Sequence, residues 1–371
     1  MTSVFLFGRL RDRDVLHAVL GEGVDPVPAS LPGFDAVSVG AVPMAGLSAR
    51  TGGTVAGDVL IDLPPALLER LHYVMTAFGS TACEVDVAAD GGTVWARAYG
   101  PPVNDASDAW DFPAWQRRFS AMTVAMVDEV AEEIGHRPPE RIAARMRSVE
   151  ARAAARLRAA TGDHPAKIRH KMAPDDVEII EKRRPYAHFF AVEEYDLRHR
   201  RFDGTFTPVI ERAAWVSTDA VTVLPYDPVR DRVMLVEQFR MGPFVRGDAQ
   251  VWSLEAIAGR TEPHEPPEVS ARREALEEAG LTLRELIPVA NYYPSPGAKT
   301  EYLYSYIGLA DLPDGAAGLG GLEGEGEDIR AHVLPFYKAM DLFQSGELEN
   351  APAILSLLWL ARIREGLRPQ A

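Results

Sequence analysis

Apolar positions recur along this 371-residue chain in two rhythms, one of period two and one of helical period. Residues 3–7 form a short apolar run closed by Gly8, which predicts a buried strand and a turn. Asp12 stands where a helix cap belongs, before a helix predicted to Leu20. Further strands are predicted over 36–42, 57–63, 82–87 and 93–99, and Pro64-Pro65 opens an amphipathic helix running to about Val74. Strands interrupted by helices make a small mixed domain. Residues 110–135 and 138–162 read as two long helices, expected to pack as a hairpin that bridges the two halves.

The run Gly162-Asp163-His164-Pro165 is the best boundary. Beyond it, strands are predicted over 177–183, 189–197 and 207–216, with Asp203-Gly204 as a hairpin turn. Core strands over 220–225 and 232–239 flank the turn Tyr226-Asp227-Pro228, and 251–257 reads as another strand. A helix over about 267–279 precedes strands at 286–293, 301–309 and 329–335, and helices at 336–345 and 351–365 close the chain. The glycine-rich stretch 315–326 reads as a loop. The expected organisation is α+β, with a first domain over 1–105, a helical connector over 106–165 and a second domain over 166–371.

Composition narrows the functional classes. A hydrophobic fraction of 47% and a charged fraction of 25% are ordinary for a globular protein. The formal charge of -15 argues against a partner that presents a nucleic-acid backbone. It leaves small phosphorylated substrates open, because a metal ion reverses the local field. One cysteine, Cys83, excludes an intramolecular disulfide and suits a reducing compartment, so a cytoplasmic location is expected. No stretch approaches the roughly 18 consecutive apolar residues of a membrane span, so no membrane partner is expected.

The densest chemistry lies in GRTEPHEPPEVSARREALEEAGL, residues 259–281. On a helix, Glu274, Glu277 and Glu278 project together, and such a concentration of negative charge needs a counter-charge. Hard divalent cations such as Mg2+ take oxygen ligands and share them with substrate phosphates. Arg273 is placed to orient one of these carboxylates, and Gly280 to end the helix in a left-handed cap. Gly259, five residues, Glu265, seven residues, Arg273-Glu274, then Glu277-Glu278 and Gly280 resemble the Nudix box at every fixed position. The resemblance implies an α/β/α sandwich around a mixed sheet, and hydrolysis of a nucleoside diphosphate linked to a further group.

Within that family the chain resembles the ADP-ribose pyrophosphatase subfamily over most of 177–367. Pro296, fifteen residues past Leu281, sits in a Ser-Pro-Gly loop like the subfamily's, and HFFAVEEYDLRHRRFDG, LVEQFR and EDIRAHV resemble its other segments. The resemblance implies that Glu274 and Glu278 ligate Mg2+ (or Mn2+), with Glu277 a third candidate and the Ala258 carbonyl completing the site. It places the catalytic base at Glu325, with Glu327 close by, and gives Arg273 and Glu277 supporting catalytic roles. Arg240 and Glu301 fall at substrate-contact positions, Phe189 at an adenine-stacking position, and Arg212 at one served by the partner subunit of a homodimer. Where the subfamily carries a substrate-binding glutamate this chain has Ala213, while Trp215 offers another stacking surface. The expected reaction is hydrolysis of ADP-ribose to AMP and ribose 5-phosphate. A different nucleoside-diphosphate sugar, a dinucleotide, or a non-catalytic ADP-ribose sensor are the alternatives.

The first domain resembles the gamma-glutamylcyclotransferase-like (AIG2-like) family, a smaller α/β barrel-type fold. Phe7-Gly8-Arg9-Leu10 sits where that family carries Tyr-Gly-x-Leu, and residues 71–75 where it carries Leu-Asp-x-Tyr-Glu. Met75 then replaces the family's acid/base glutamate, and a thioether moves no protons near neutral pH. The expectation is a scaffold or binding module without cyclotransferase activity.

Overall fold

The computed structural model describes residues 2–40, 43–103, 108–321 and 327–369, and the chain divides into two compact units, Met1–Pro165 and Ala166–Ala371.

The first unit is a closed barrel with helices packed on it. Its strands are β1 (Thr2–Leu6), β2 (Val27–Val39), β3 (Met44–Leu63), β4 (Thr81–Ala89) and β5 (Gly92–Gly100), in the order β1-β3-β2-β4-β5. A parallel pairing of β1 with β5 closes the circle. Alternation along β1 divides its side chains: Phe5 points into the barrel with Leu31, Val59 and Val87, while Val4 and Leu6 join the core beneath the helices. Those helices are α1 (Arg13–Leu20), α2 (Pro65–Ala77), α3 (Phe112–Ala131), α4 (Pro139–Ala143) and α5 (Met146–Thr161). Asp12 caps α1 as expected, its carboxylate accepting from the N–H groups of Asp14 and Val15.

Two sequence expectations change here. Strands β2 and β3 are much longer than their apolar runs, because their ladder continues on both sides of the polar stretch 50–53 of β3, which lies at a register shift opposite Pro32 and Phe34. The second long helix is interrupted at Ala144 and Arg145, giving α4 and α5. The two-helix hairpin is present as α3 and α5, and its apolar faces pack within the first unit. Trp115, Phe119, Met126 and Val130 of α3, with Val149 and Ala153 of α5, share one core with Leu10, Leu16 and Leu71.

Between α3 and α5 lies a buried ion network. The Glu129 carboxylate, 2% exposed, accepts from Nε and Nη2 of Arg152 at 2.9 and 2.6 Å and from Nη1 of Arg156 at 2.8 Å.

The second unit begins with a three-stranded antiparallel sheet of β6 (Val177–Ala187), β7 (Ala191–His199) and β8 (Ile210–Val216). The Asp203-Gly204 turn forms between β7 and β8, with Gly204 at φ 87° and the Asp203 carboxylate accepting from the Thr205 N–H. The central mixed sheet contains β9 (Ala220–Asp227), β10 (Arg232–Phe239), β11 (Trp252–Glu255), β12 (Ile257–Arg260), β13 (Glu285–Tyr292), β14 (Leu303–Leu309), β15 (Leu319–Gly320) and β16 (Ile329–Pro335). Its order is β13-β14-β9-β10-β16-β15, with β11 added to β10 and β12 to β9. The strand expected over 251–257 is therefore two strands with different partners.

Its helices are α6 (Met241–Arg246), α7 (Pro267–Ala279), α8 (Phe336–Ser345) and α9 (Ala351–Leu367). Alternate residues of β10 serve opposite faces. Met234 and Val236 meet Ala271 and Ala275 of α7, while Val233 and Leu235 meet Phe336, Leu357 and Leu360 of α8 and α9. With both faces covered, β9 and β10 read as continuous apolar runs. This is the α/β/α sandwich.

Replacing Arg152 with Met removes the more buried of the two arginines bonded to Glu129, which is expected to destabilise the first unit by roughly 1–3 kcal/mol in chemical denaturation. Glu129→Gln combined with Arg152→Met is expected to recover most of that loss.

Candidate active site

Helix α7 carries the site because its ends are held. Pro267 opens the helix, and Gly280 ends it at φ 62°, where the Gly280 and Leu281 N–H groups bond the carbonyls of Leu276 and Ala275. Spacing then sets two carboxylate rows. Glu274 and Glu278 lie one turn apart, and Arg273 and Glu277 lie on the neighbouring row.

The first row is pressed against β12. Glu278 is 3% exposed, and its carboxylate accepts from the Ala258 N–H at 3.4 Å. A Cβ added to Gly259 would collide with the Glu274 carboxylate, so only glycine lets the strand and this side chain lie together. Burial pushes Glu274 up to about 7 despite Arg273, and pushes Glu278 up to about 8 with help from the Glu274 charge. Glu327, at the described end of the 315–328 segment, adds to both shifts.

Arg273 ties the second row together. Its Nη1 lies 2.8 Å from Glu277 and 2.9 Å from Glu274, its Nε reaches Glu265 at 3.4 Å, and Nη2 donates to the Arg260 carbonyl at 3.2 Å. Ser270 also donates to Glu265, at 3.0 Å. Burial opposes the Arg273 charge, but Glu274 and Glu277 outweigh it and raise its pKa.

The donor chemistry suits a hard divalent cation. Glu278, buried with a single long hydrogen bond, and Glu274, half-buried and paired with Arg273, are still held above the ordinary carboxylate range by burial, a cost that an oxygen-seeking cation offsets. Among the described residues no group of three or more acidic, histidine or cysteine side chains is arranged to hold a metal alone. Mg2+ ordinarily completes its shell with waters and substrate oxygens. Glu277 is engaged by Arg273, and Glu325 lies outside the described residues.

Arg240 stands at the end of β10, where its Nε and Nη2 form a two-pronged pair with Glu255 of β11 at 2.8 and 2.7 Å. Its charge also acts on Glu278. Glu255 was not singled out from sequence. The signal was there, as a lone acid inside the apolar run 251–257, and its burial shows it to be the orienting partner of Arg240.

Phe189 lies in the loop joining β6 to β7 rather than on a strand, and it is 59% exposed. The Arg260 guanidinium sits 3.7 Å from its ring centroid, which brings Phe189 to the edge of the box. Phe190 follows, 5.1 Å from Trp215. The loop containing Pro296 is fastened to the same place: Trp215 N–H donates to the Ala298 carbonyl at 2.7 Å, and Thr300 N–H to the Trp215 carbonyl at 3.1 Å. Glu301 follows that loop, 3.5 Å from Lys299. Arg212, on β8 opposite Tyr195, donates to its neighbour's carbonyl, that of Glu211, and touches no box residue among the described ones. Ala213 pairs with Glu194 across β7 and β8.

Residues 216–354 match the NUDIX domain family, and residues 4–116 match the family described as gamma-glutamyl cyclotransferase, AIG2-like. The ADP-ribose pyrophosphatase of Escherichia coli (strain K12) is 38% identical over 194 residues, which are 52% of this chain and 92% of that protein. The ADP-ribose pyrophosphatase of Haemophilus influenzae is 34% identical, over 53% of this chain and 90% of its own length. A GDP-mannose pyrophosphatase of Salmonella arizonae is 33% identical, over 40% of this chain and 77% of its own.

The raised carboxyls have a sign. A folded pKa above the ordinary 4.5 contributes stability at low pH, and that contribution is lost as pH rises through the folded value. Metal-free protein is therefore expected to lose thermal stability between about pH 5 and pH 8.5, with Glu278→Gln recovering part of it at the upper pH and none at the lower. Added Mg2+ is expected to stabilise the wild type at the upper pH and to leave Glu278→Gln nearly unmoved, read as Tm.

Proposed function

The chain belongs to the Nudix hydrolases, and we propose that within them it hydrolyses the diphosphate bond of ADP-ribose, adding water to yield AMP and ribose 5-phosphate. The Glu274–Glu278 pair, packed against Ala258 and Gly259 of β12 and held above the ordinary carboxylate range by burial, is the observation that carries the hydrolytic reading. The curated relatives named as ADP-ribose pyrophosphatases support the substrate. So does the Ser-Pro-Gly loop fastened beside Trp215 and the Phe189–Arg260 stack.

Glu274 and Glu278, with the Ala258 carbonyl, would hold Mg2+ or Mn2+. The bound ion would neutralise diphosphate charge and ease ionisation of water. Arg273 fixes the Glu274 and Glu277 carboxylates from within the fold, so neither has to be immobilised during the reaction. Arg240, held flat by Glu255, offers its guanidinium edge to a phosphate oxygen. Glu325, with Glu327 near it, takes the proton of the attacking water. Phe189 offers the adenine its exposed ring face, Glu301 contacts substrate from the far side of the Pro296 loop, and Arg212 serves the partner subunit's site in a cytoplasmic homodimer. No helix among the described residues is long and apolar enough to cross a membrane.

A second reading rests on Ala213 and on the GDP-mannose pyrophosphatase relative. Without the glutamate expected at 213, contacts to the terminal ribose are fewer, and another nucleoside-diphosphate sugar is the competing substrate.

Phosphatase-coupled phosphate release separates these readings across ADP-ribose, GDP-mannose, ADP-glucose, NADH and diadenosine polyphosphates. ADP-ribose is expected to have the highest kcat/KM, and Glu278→Gln to lose orders of magnitude in kcat. Preference for another compound would keep the chemistry and overturn the substrate, while saturable ADP-ribose binding without any turnover would make the protein a sensor. Arg273→Lys, which lacks the planar fork, is expected to lower kcat by about 10–100-fold with little change in KM.

A further inference from the structure

A cation stands behind the Phe189 ring, and the function proposed above gives it no role. Alternation along β12 turns Gly259 towards α7 and sends the Arg260 side chain to the other side of the strand, where it meets the loop joining β6 to β7. Its guanidinium carbon lies 3.7 Å from the centroid of the Phe189 ring, a separation that only an approach onto the ring face allows. Phe190 is 4.8 Å from Phe189 with the two rings at 90°, and 5.6 Å from the same guanidinium. These three separations place Phe190 at the rim of the Phe189 ring and not over its far face. Arg260 thus covers one face of a ring that is 59% exposed, and neither it nor Phe190 covers the other.

The arginine is itself held. Arg260 pairs with Ala220 across β12 and β9, and its carbonyl accepts from Arg273 Nη2 at 3.2 Å, which ties it to the guanidinium that gathers Glu265, Glu274 and Glu277. Phe190 in turn lies 5.1 Å from Trp215, whose backbone is bonded to the Pro296 loop. The Phe189 ring is therefore fixed from one face and from its rim. A cation on one face draws π density away from the other, and that other face then stacks best on a large, electron-rich base. Adenine and guanine answer that description, and uracil, smaller and electron-poor, does not. We propose that Arg260 is a specificity-determining residue that acts through Phe189, holding the ring and biasing its open face towards a purine nucleoside diphosphate over a pyrimidine one. The proposal rests on the reading of Phe189 as the base platform, and it is indifferent to which sugar the second phosphate carries.

ADP-glucose and UDP-glucose differ only in the base, so steady-state kinetics of the full chain on this pair in Mg2+ are the test. The wild type is expected to show the lower KM for ADP-glucose. Arg260→Met is expected to raise that KM by about 3–20-fold, more than it lowers kcat, and to raise the KM for UDP-glucose by less. Phe189→Ala is expected to abolish the preference, and adding Arg260→Met to it to change nothing further, because the arginine acts through the ring. Equal KM changes for the two compounds overturn the proposal, as do effects of Phe189→Ala and Arg260→Met that simply add. Should Arg260→Met not fold, Arg260→Gln, which keeps a planar group and loses the charge, decides by the same ratio of KM values. If neither compound is turned over, the substrate reading is at fault, and the Tm shifts given by ADP and UDP in Mg2+ decide. Stronger protection by ADP in the wild type, lost in Arg260→Met, then supports the platform, and equal protection by ADP and UDP overturns it.

Discussion

Two glutamates one helical turn apart, buried on the same face of α7, are the constraint on which the second unit turns. Helical spacing forces Glu274 and Glu278 together, and burial makes their charges costly. The neighbouring residues act on that cost in different ways. Gly259 gives the Glu274 carboxylate room against β12, the Ala258 N–H bonds Glu278, and Arg273 draws Glu265, Glu274 and Glu277 onto one guanidinium. These neighbours leave the two carboxyls titrating near neutrality, a state that suits the proposed exchange of a proton for a cation.

The sheet makes this arrangement rigid. β9 and β10 are covered on both faces, so the strand that ends in Arg240 and the strand that carries Ala258 and Gly259 cannot drift relative to α7. Rigidity matters because bidentate contacts lose their value with small displacements. Arg240 is aimed by Glu255 on the adjacent strand, and Arg260 is held between the Arg273 side chain and the Phe189 ring. The box residues are thus local in sequence, whereas the residues proposed to face a substrate come from the β6–β7 loop, β8, the end of β10 and the Pro296 loop.

The first unit shows the same physics with the opposite sign. Glu129 is buried between α3 and α5 with two arginines to balance it, while Arg9 is buried beside a cavity with only a hydroxyl and an aromatic ring. The balanced case joins two helices, and the other leaves a buried guanidinium on a hydroxyl and a ring.

Much of this was determined by the sequence alone. The box spacing put Glu274 and Glu278 one turn apart on one helix face and Gly280 at the helix end, while only the structure set Glu277 apart on the row of Arg273. The core strands of the sandwich were legible as apolar runs, since burial on both faces leaves no polar positions. Other features needed the tertiary structure. The length of β2 and β3 depends on hydrogen bonding to each other, which a polar stretch such as Thr51–Thr54 does not reveal. The run 251–257 divides because its two ends pair with different strands. The helical hairpin belongs to the barrel because its apolar faces meet α1 and α2, and periodicity shows a face but not what covers it. Likewise Glu255 and Arg9 are ordinary letters in the chain. Only folding decides which buried charge finds a carboxylate and which a hydroxyl and a ring.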